Sequence, residues 1–248
     1  MSISVAVVGA AGRMGQMICE AVSGAPDMEL VARLDAGDPI TPESLAGAQV
    51  AIEFTVPTVT EKNTLALVDA GVDVVVGTSG WTAEARARLA ERAEAAGRSV
   101  LIAPNFGLSA VLLMHFAKIA AKYFESAEVI ELHHPNKVDA PSGTATSTAQ
   151  HIAQARAEAG LGESPDATEI DHGGARGADI DGVHVHAVRL RGLNAHEEVL
   201  FGNPAEQLVI RQDSFDRSSF MPGILLAVRS IQGRTGLTYG LDQVMGLE

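Results

Sequence analysis

A single cysteine, Cys19, among 248 residues rules out an internal disulfide and any multi-cysteine zinc or iron–sulfur site, and it suits a reducing compartment. Aromatic residues are scarce at 4%, with one tryptophan, Trp81, so a stacking platform for single-stranded nucleic acid is not expected. Basic residues are also few: 18 against 31 acidic ones, a formal net charge of −13. With no basic patch in the sequence, nucleic acid and anionic membrane surfaces are poor partners. Long apolar runs are missing as well. The N-terminal run ends at Gly9 with no basic segment before it, too short for a signal sequence or a membrane span. These absences predict a soluble, cytoplasmic protein. What is present is a 46% hydrophobic chain, long enough for one to two domains.

Short, continuously apolar β-type runs alternate with helical segments over the first half, as buried parallel strands do. Strands are predicted at Ser2–Val8, Glu29–Leu34, Gln49–Phe54, Asp73–Gly77 and Ser99–Ala103. Helices are predicted at Arg13–Ser23, Thr58–Ala70 and Thr82–Ala96. Thr58 and Glu61 have capping-box spacing, and Gly71 and Gly97 sit where helix-ending glycines belong. This is an α/β pattern, a Rossmann-type doubly wound parallel sheet. After Pro104 the rhythm changes. A helix is expected from Leu108 to Tyr123, a strand at Ala127–His133, a helix at Thr144–Ala159 and a loop at Gly160–Gly182. Strands at Val183–Leu190, Glu198–Phe201 and Gln207–Asp213 follow without crossover helices, which predicts a smaller α+β domain with an antiparallel or mixed sheet. The last helix, Ser218–Ile231, is expected to rejoin the first domain. The expected division is therefore 1–106 completed by 217–248, and 107–216.

Gly9-Ala10-Ala11-Gly12-Arg13-Met14-Gly15 lies between the first strand and the first helix, where a dinucleotide-binding turn belongs. Gly9 permits the tight turn, Gly12 the approach of a pyrophosphate, and Gly15 close packing of helix on strand. Asp35, twenty positions after Gly15, is placed to accept from the adenine-side ribose hydroxyls. Asp35 repels a 2′-phosphate, and Ala36 stands where a phosphate-binding arginine often sits, although Arg13 can still reach a phosphate. Use of both NADH and NADPH is expected, with NADH favoured.

The stretch from Glu131 to Ala145 holds two adjacent histidines, a lysine and a Ser-Gly-Thr helix start. Lys137 supplies a point charge, and the amides of Gly143 and Thr144 point out of a helix N-terminus. That combination suits a small carboxylate, and a neighbouring histidine can deliver a proton as hydride arrives from a nicotinamide. Taken singly, Ser142 is more simply a helix cap and each histidine a surface residue; together they favour a site.

These residues resemble the signature of the bacterial 4-hydroxy-tetrahydrodipicolinate reductase (dihydrodipicolinate reductase) family. The similarity extends to Gly9–Gly15, Gly77-Thr78-Ser79-Gly80 and Ala103-Pro104-Asn105-Phe106-Gly107. The resemblance implies that His133 donates a proton with help from Lys137, and that His134, Lys137, Ser142, Gly143 and Thr144 grip a small dicarboxylate substrate. It further implies that Gly77, Thr78 and Ser79 lie against the nicotinamide ribose and ring, bordered by Ala103, Pro104, Asn105 and Phe106, and that the protein is a homotetramer built on its second domain. The implied reaction reduces 4-hydroxy-tetrahydrodipicolinate, by way of dihydrodipicolinate, on the diaminopimelate route to lysine.

His184 and His186 share one strand face, with Arg189 and Arg191 on the other. No carboxylate or cysteine has ligand spacing to the histidine pair, so a polar sheet face or subunit contact is expected and no metal. His196-Glu197-Glu198 reads as a solvated strand end, and Cys19 as a core residue. Two rivals remain at this level: an amino- or hydroxy-acid dehydrogenase of similar plan, and a dinucleotide-sensing regulator. The His-His to Ser-Gly-Thr spacing speaks against the first, and the lack of a DNA-binding element against the second.

Overall fold

The structure, a computed structural model, describes residues 2–247. The chain divides into two compact units, one running to Gly107 and resuming at Arg217, the other spanning Leu108–Asp216. The first contains β1 (Ile3–Val8), α1 (Arg13–Gly24), β2 (Met28–Leu34), β3 (Val50–Glu53), α2 (Pro57–Asp69), β4 (Asp73–Val76), α3 (Ala83–Ala96) and β5 (Ser99–Ile102). The second contains α4 (Leu108–Ala120), β6 (Ser126–His133), α5 (Gly143–Glu158), β7 (Ala178–Ile180), β8 (Val183–Arg189), β9 (Ala195–Asn203) and β10 (Glu206–Ser214). The chain then returns to the first unit as α6 (Met221–Ile231) and β11 (Gly236–Tyr239).

In the first unit six parallel strands run in the order β11-β5-β4-β3-β1-β2. The order reverses at β1, so right-handed crossovers place helices on both faces, and the central strands are apolar at almost every position. The reversal also opens a crevice at the carboxyl ends of β1 and β3, where such sheets bind ligands. Two glycines shape it. Gly9 has φ +89, and a Cβ there would lie 2.2 Å from the Phe54 carbonyl oxygen; a Cβ on Gly15 would lie 2.0 Å from the Gly9 oxygen. The helix therefore sits on the strand as the G-x-x-G-x-x-G spacing predicts.

The second unit is a mixed five-stranded sheet, β10-β9-β6-β8-β7, with β6 and β8 parallel and the other pairs antiparallel. Alternate residues of β6, β8 and β9 pack beneath α4 and α5, joining Val129, Val185, Val199 and Phe201 to Leu113, Ala117, Ala149 and Ile152. Together the units realise the expected α/β and α+β architectures.

Four local expectations need correction. The Thr58–Glu61 capping box does not form: α2 starts at Pro57 behind Val56 with no side-chain cap, and Glu61 instead bonds Arg88. Proline is suited to that first position, because its missing N–H would have had no intrahelical partner. The predicted 160–182 loop contains β7, whose three residues are too few to carry a period. A sixth strand, β11, extends the first sheet although the sequence reading stopped at the last helix. Finally, His196 and Glu197 are buried, not solvated, because β9 runs between two neighbours rather than along an edge.

Candidate active site

The carboxyl edge of the first sheet gathers every segment expected to hold a dinucleotide. Gly12 precedes α1 without a side-chain cap, so the first-turn amides at Arg13 and Met14 lack intrahelical partners, as an anion-binding helix start requires. Gly9 and Ala10 amides both donate to the Leu34 carbonyl, tying the turn to the end of β2. Asp35 then follows, and its carboxylate accepts from the Ala11 amide at 2.5 Å and the Ala36 amide at 2.8 Å. The Ala36 and Ala11 bonds hold that carboxyl below the usual carboxylate range. It is thus anionic beside the glycine turn, with acceptor capacity to spare for a diol.

Farther along the edge, a Cβ on Gly77 would fall 1.9 Å from the Phe54 ring, so glycine lets the β4 exit loop pass under that ring without displacing it. Thr78 is buried with its hydroxyl turned inward, whereas Ser79 is exposed. Phe54 also meets Phe106 with ring centroids 5.7 Å apart. Asn105 accepts from the Gly107 amide through its Oδ1 at 2.8 Å, shaping the turn after Ala103 and Pro104.

In the second unit, alternation along β6 places Glu131 and His133 on the helix-covered face at the strand's carboxyl end. Cross-strand register sets Glu197 beside Glu131 and Arg189 beside His133. Glu131 is fully buried and its partners account for it. His133 Nδ1 contacts Oε2, Arg189 donates to both oxygens at 2.8 and 2.7 Å, and the Ser142 amide donates to Oε1 at 3.1 Å. Burial pushes the Glu131 carboxyl up, but the Arg189 and His133 contacts outweigh it and leave it lowered. Burial likewise dominates for His133 and depresses its pKa, against the raising effect of Glu131.

The loop after His133 runs through the cis Ala140–Pro141 peptide to Ser142, whose hydroxyl accepts from the Ala145 amide at 3.2 Å as the N-cap of α5. Gly143 is exposed, and a Cβ there would meet nothing within 4 Å. Lys137 Nζ lies 2.7 Å from Asp139 Oδ1, so its charge is paired, with the side chain 22% exposed. His134 Nδ1 is buried with no hydrogen-bond partner among the described residues. Sequence reasoning named His133, His134, Lys137, Ser142, Gly143 and Thr144 here but gave no role to Glu131 and left Arg189 open. The available signal was parity, since Glu131 stands two residues before His133 on one strand.

Behind this cluster Glu197 is buried, its Oε1 without a partner among the described residues, and burial, reinforced by the Glu131 charge and opposed by the Thr148 hydroxyl, pushes its pKa up from 4.5 to about 7. A raised acid favours folding fully below its unfolded value and loses that contribution as pH rises through about 7. At ~1.4 kcal/mol per unit, the charged form costs about 3 kcal/mol above that pH. In urea unfolding, Glu197→Gln is expected to match the parent at about pH 4 and exceed it by about 3 kcal/mol at about pH 8.5. An equal difference at both values would refute the assignment. His184 and His186, by contrast, face Asp166 and Glu128 on the opposite side of the sheet, and no metal-binding group occurs among the described residues.

Residues 3–106 match the family model "Dihydrodipicolinate reductase, N-terminus", and residues 109–245 match "Dihydrodipicolinate reductase, C-terminus". A 4-hydroxy-tetrahydrodipicolinate reductase of Bifidobacterium animalis subsp. lactis is 64% identical over 253 residues, covering 99% of this chain and 100% of the relative. Among solved structures, dipicolinate-bound dihydrodipicolinate reductase from Paenisporosarcina sp. TG-14 aligns with TM-score 0.89 and 37% identity over 99% of this chain and 100% of that one. An engineered D-amino acid dehydrogenase bound to NADP+ aligns at TM-score 0.58 and 15% identity over 98% and 94% of the two chains, a likeness of fold alone. Both units of the chain are thus matched from end to end by one set of oxidoreductases, and the chain belongs to the dihydrodipicolinate reductase family, which reduces 4-hydroxy-tetrahydrodipicolinate in lysine biosynthesis.

Proposed function

We propose that His133 is the proton donor of this reduction and that the loop from His134 to Thr144 holds a substrate dicarboxylate, with the first unit supplying the nicotinamide. The observation that carries the reading is the His133–Glu131–Arg189 arrangement. With Nδ1 engaged by a buried carboxylate, Nε2 is the nitrogen left to face a ligand and pass on a proton. A conjugated cyclic imine that accepts hydride becomes an electron-rich enamine, which requires such a proton.

Anion recognition follows from the same loop. Gly143 and Thr144 open α5 at its N-terminus, an incoming carboxylate takes the place of the Asp139 carboxylate on the Gly143 amide, and the partnerless His134 Nδ1 is satisfied by a carboxylate oxygen. Lys137 exchanges Asp139 for the second carboxylate. Ser142 contributes mainly as the cap that aims α5, its hydroxyl hydrogen remaining for the ligand.

Asp35 favours a free ribose diol, and Ala36 offers a 2′-phosphate no cation, so NADH is the better cofactor and NADPH the weaker. The second unit also supports assembly. Ile130, Leu132, Val188 and Leu200 are only half-buried, and Val209 is 49% exposed, all on the sheet face away from α4 and α5. Pairing of such faces between copies accounts for a homotetramer. No helix of the described residues is long and apolar enough to cross a membrane, in keeping with a cytoplasmic enzyme.

The direct test supplies the condensation product of pyruvate and aspartate semialdehyde and follows cofactor oxidation at 340 nm, an ordinary assay wavelength for reduced nicotinamide. Oxidation of both cofactors, faster with NADH, is expected. A large NADPH preference would overturn the cofactor reading, and no oxidation of either would overturn the whole.

A further inference from the structure

The end of β3 carries an ionisable group that the chemistry above leaves unused. Glu53 is 0% exposed, and its carboxylate is satisfied by three threonine hydroxyls from three separate segments. Thr55 donates to Oε1, while Thr60 of α2 and Thr78 after β4 each donate to Oε2 at 2.7 Å. The Thr78 hydroxyl also accepts from the Thr55 amide at 2.7 Å. Hydroxyls able to donate reach both oxygens of the carboxyl group from three directions. An apolar side chain of similar volume would fill this strand end without the desolvation that a buried polar group entails, so packing does not explain the acid.

What the cluster holds in place is the exit loop of β4. Its first amide, Gly77 N–H, donates to the Glu53 carbonyl at 3.0 Å. Thr78 is then bonded through its hydroxyl to Glu53 and through its carbonyl to the Trp81 indole N–H at 3.0 Å. Thr78 therefore has no hydroxyl to offer a cofactor; what the loop presents outward is its backbone edge and Ser79. The shape of that edge depends on a carboxylate 25 residues earlier in the chain.

We propose that Glu53 is a positioning residue for the nicotinamide end of the cofactor, acting through Thr78 to fix the loop that receives the ring. This rests on the cofactor placement proposed above. It predicts a defect confined to the cofactor. In Glu53→Gln the isosteric amide turns an N–H₂ toward hydroxyl donors, and the loop loses its single geometry.

The full-length enzyme and its Glu53→Gln, Thr78→Val and double variants are compared. Cofactor Kd is read by energy transfer from Trp81, the one tryptophan, to NADH. Glu53→Gln and Thr78→Val are each expected to raise KM and Kd for NADH roughly tenfold, the scale of one lost hydrogen bond. Substrate KM and Kd for pyridine-2,6-dicarboxylate should stay within about twofold, and the double variant should be no worse than the worse single one. Unchanged NADH constants, or equal losses for both ligands, would overturn the proposal. If Glu53→Gln does not fold, Thr78→Val must still raise the NADH constants while Thr60→Val, which removes only the α2 bond, must not; the same response from both would overturn it too. A parent enzyme that oxidises no NADH with substrate overturns the proposed function instead, so the two failures are distinguishable.

Discussion

In His133→Gln, kcat is expected to fall by about two to four orders of magnitude, the usual worth of a positioned general acid, while NADH affinity is unchanged. The pH profile carries the more specific expectation. A general acid must hold its proton, so activity declines as pH rises through the His133 pKa. In the free protein burial pulls that pKa below the ordinary 6.5, outweighing the raising effect of Glu131. A bound dicarboxylate adds negative charge beside the ring and raises it again. The alkaline limb of kcat/KM, which reports the free enzyme, should therefore lie below that of kcat, which reports the complex. Both limbs should vanish in His133→Gln. Turnover within threefold of the parent would remove the proposed role.

Glu131→Ala is expected to cost about 3–5 kcal/mol of stability and on the order of a hundredfold in kcat. The stability loss arises because Arg189, bonded through two nitrogens to this buried carboxylate, is left without its counter-charge in a partly buried position. The catalytic loss arises because nothing then fixes the His133 tautomer. Glu131→Gln separates the two effects. It keeps the volume and part of the hydrogen bonding, so the urea midpoint should recover partly, but it removes the negative charge that raises His133. The alkaline limb of kcat/KM should move to lower pH. A limb that stays put would mean that Glu131 only supports the fold.

These two residues mark how far the sequence could be read. His133 announced itself as one member of a dense run of chemically distinctive side chains. Glu131 did not, because its role exists only where β8 brings Arg189 alongside β6 and where the α5 N-terminus drops the Ser142 amide onto its oxygen. Glu197 was misread for the same reason. A run of His-Glu-Glu looks like solvent-facing polarity, and nothing within it tells that β9 lies between β6 and β10. Glu53 passed as the end of an apolar strand, since its three threonines are scattered over 24 positions, from Thr55 to Thr78.

Features with a local cause were legible in the chain itself. Continuous apolar runs identified the parallel strands, glycine spacing located the tight turn into α1, and the Ser-Gly-Thr helix start was visible within a few residues. The single cysteine had already excluded an internal disulfide. Tertiary structure decided the rest: which carboxylates are buried, which cation neutralises them, and which hydroxyls are spent inside the protein. Those depend on pairing between distant segments, where burial sets the price of a charge and a partner must be brought in to meet it.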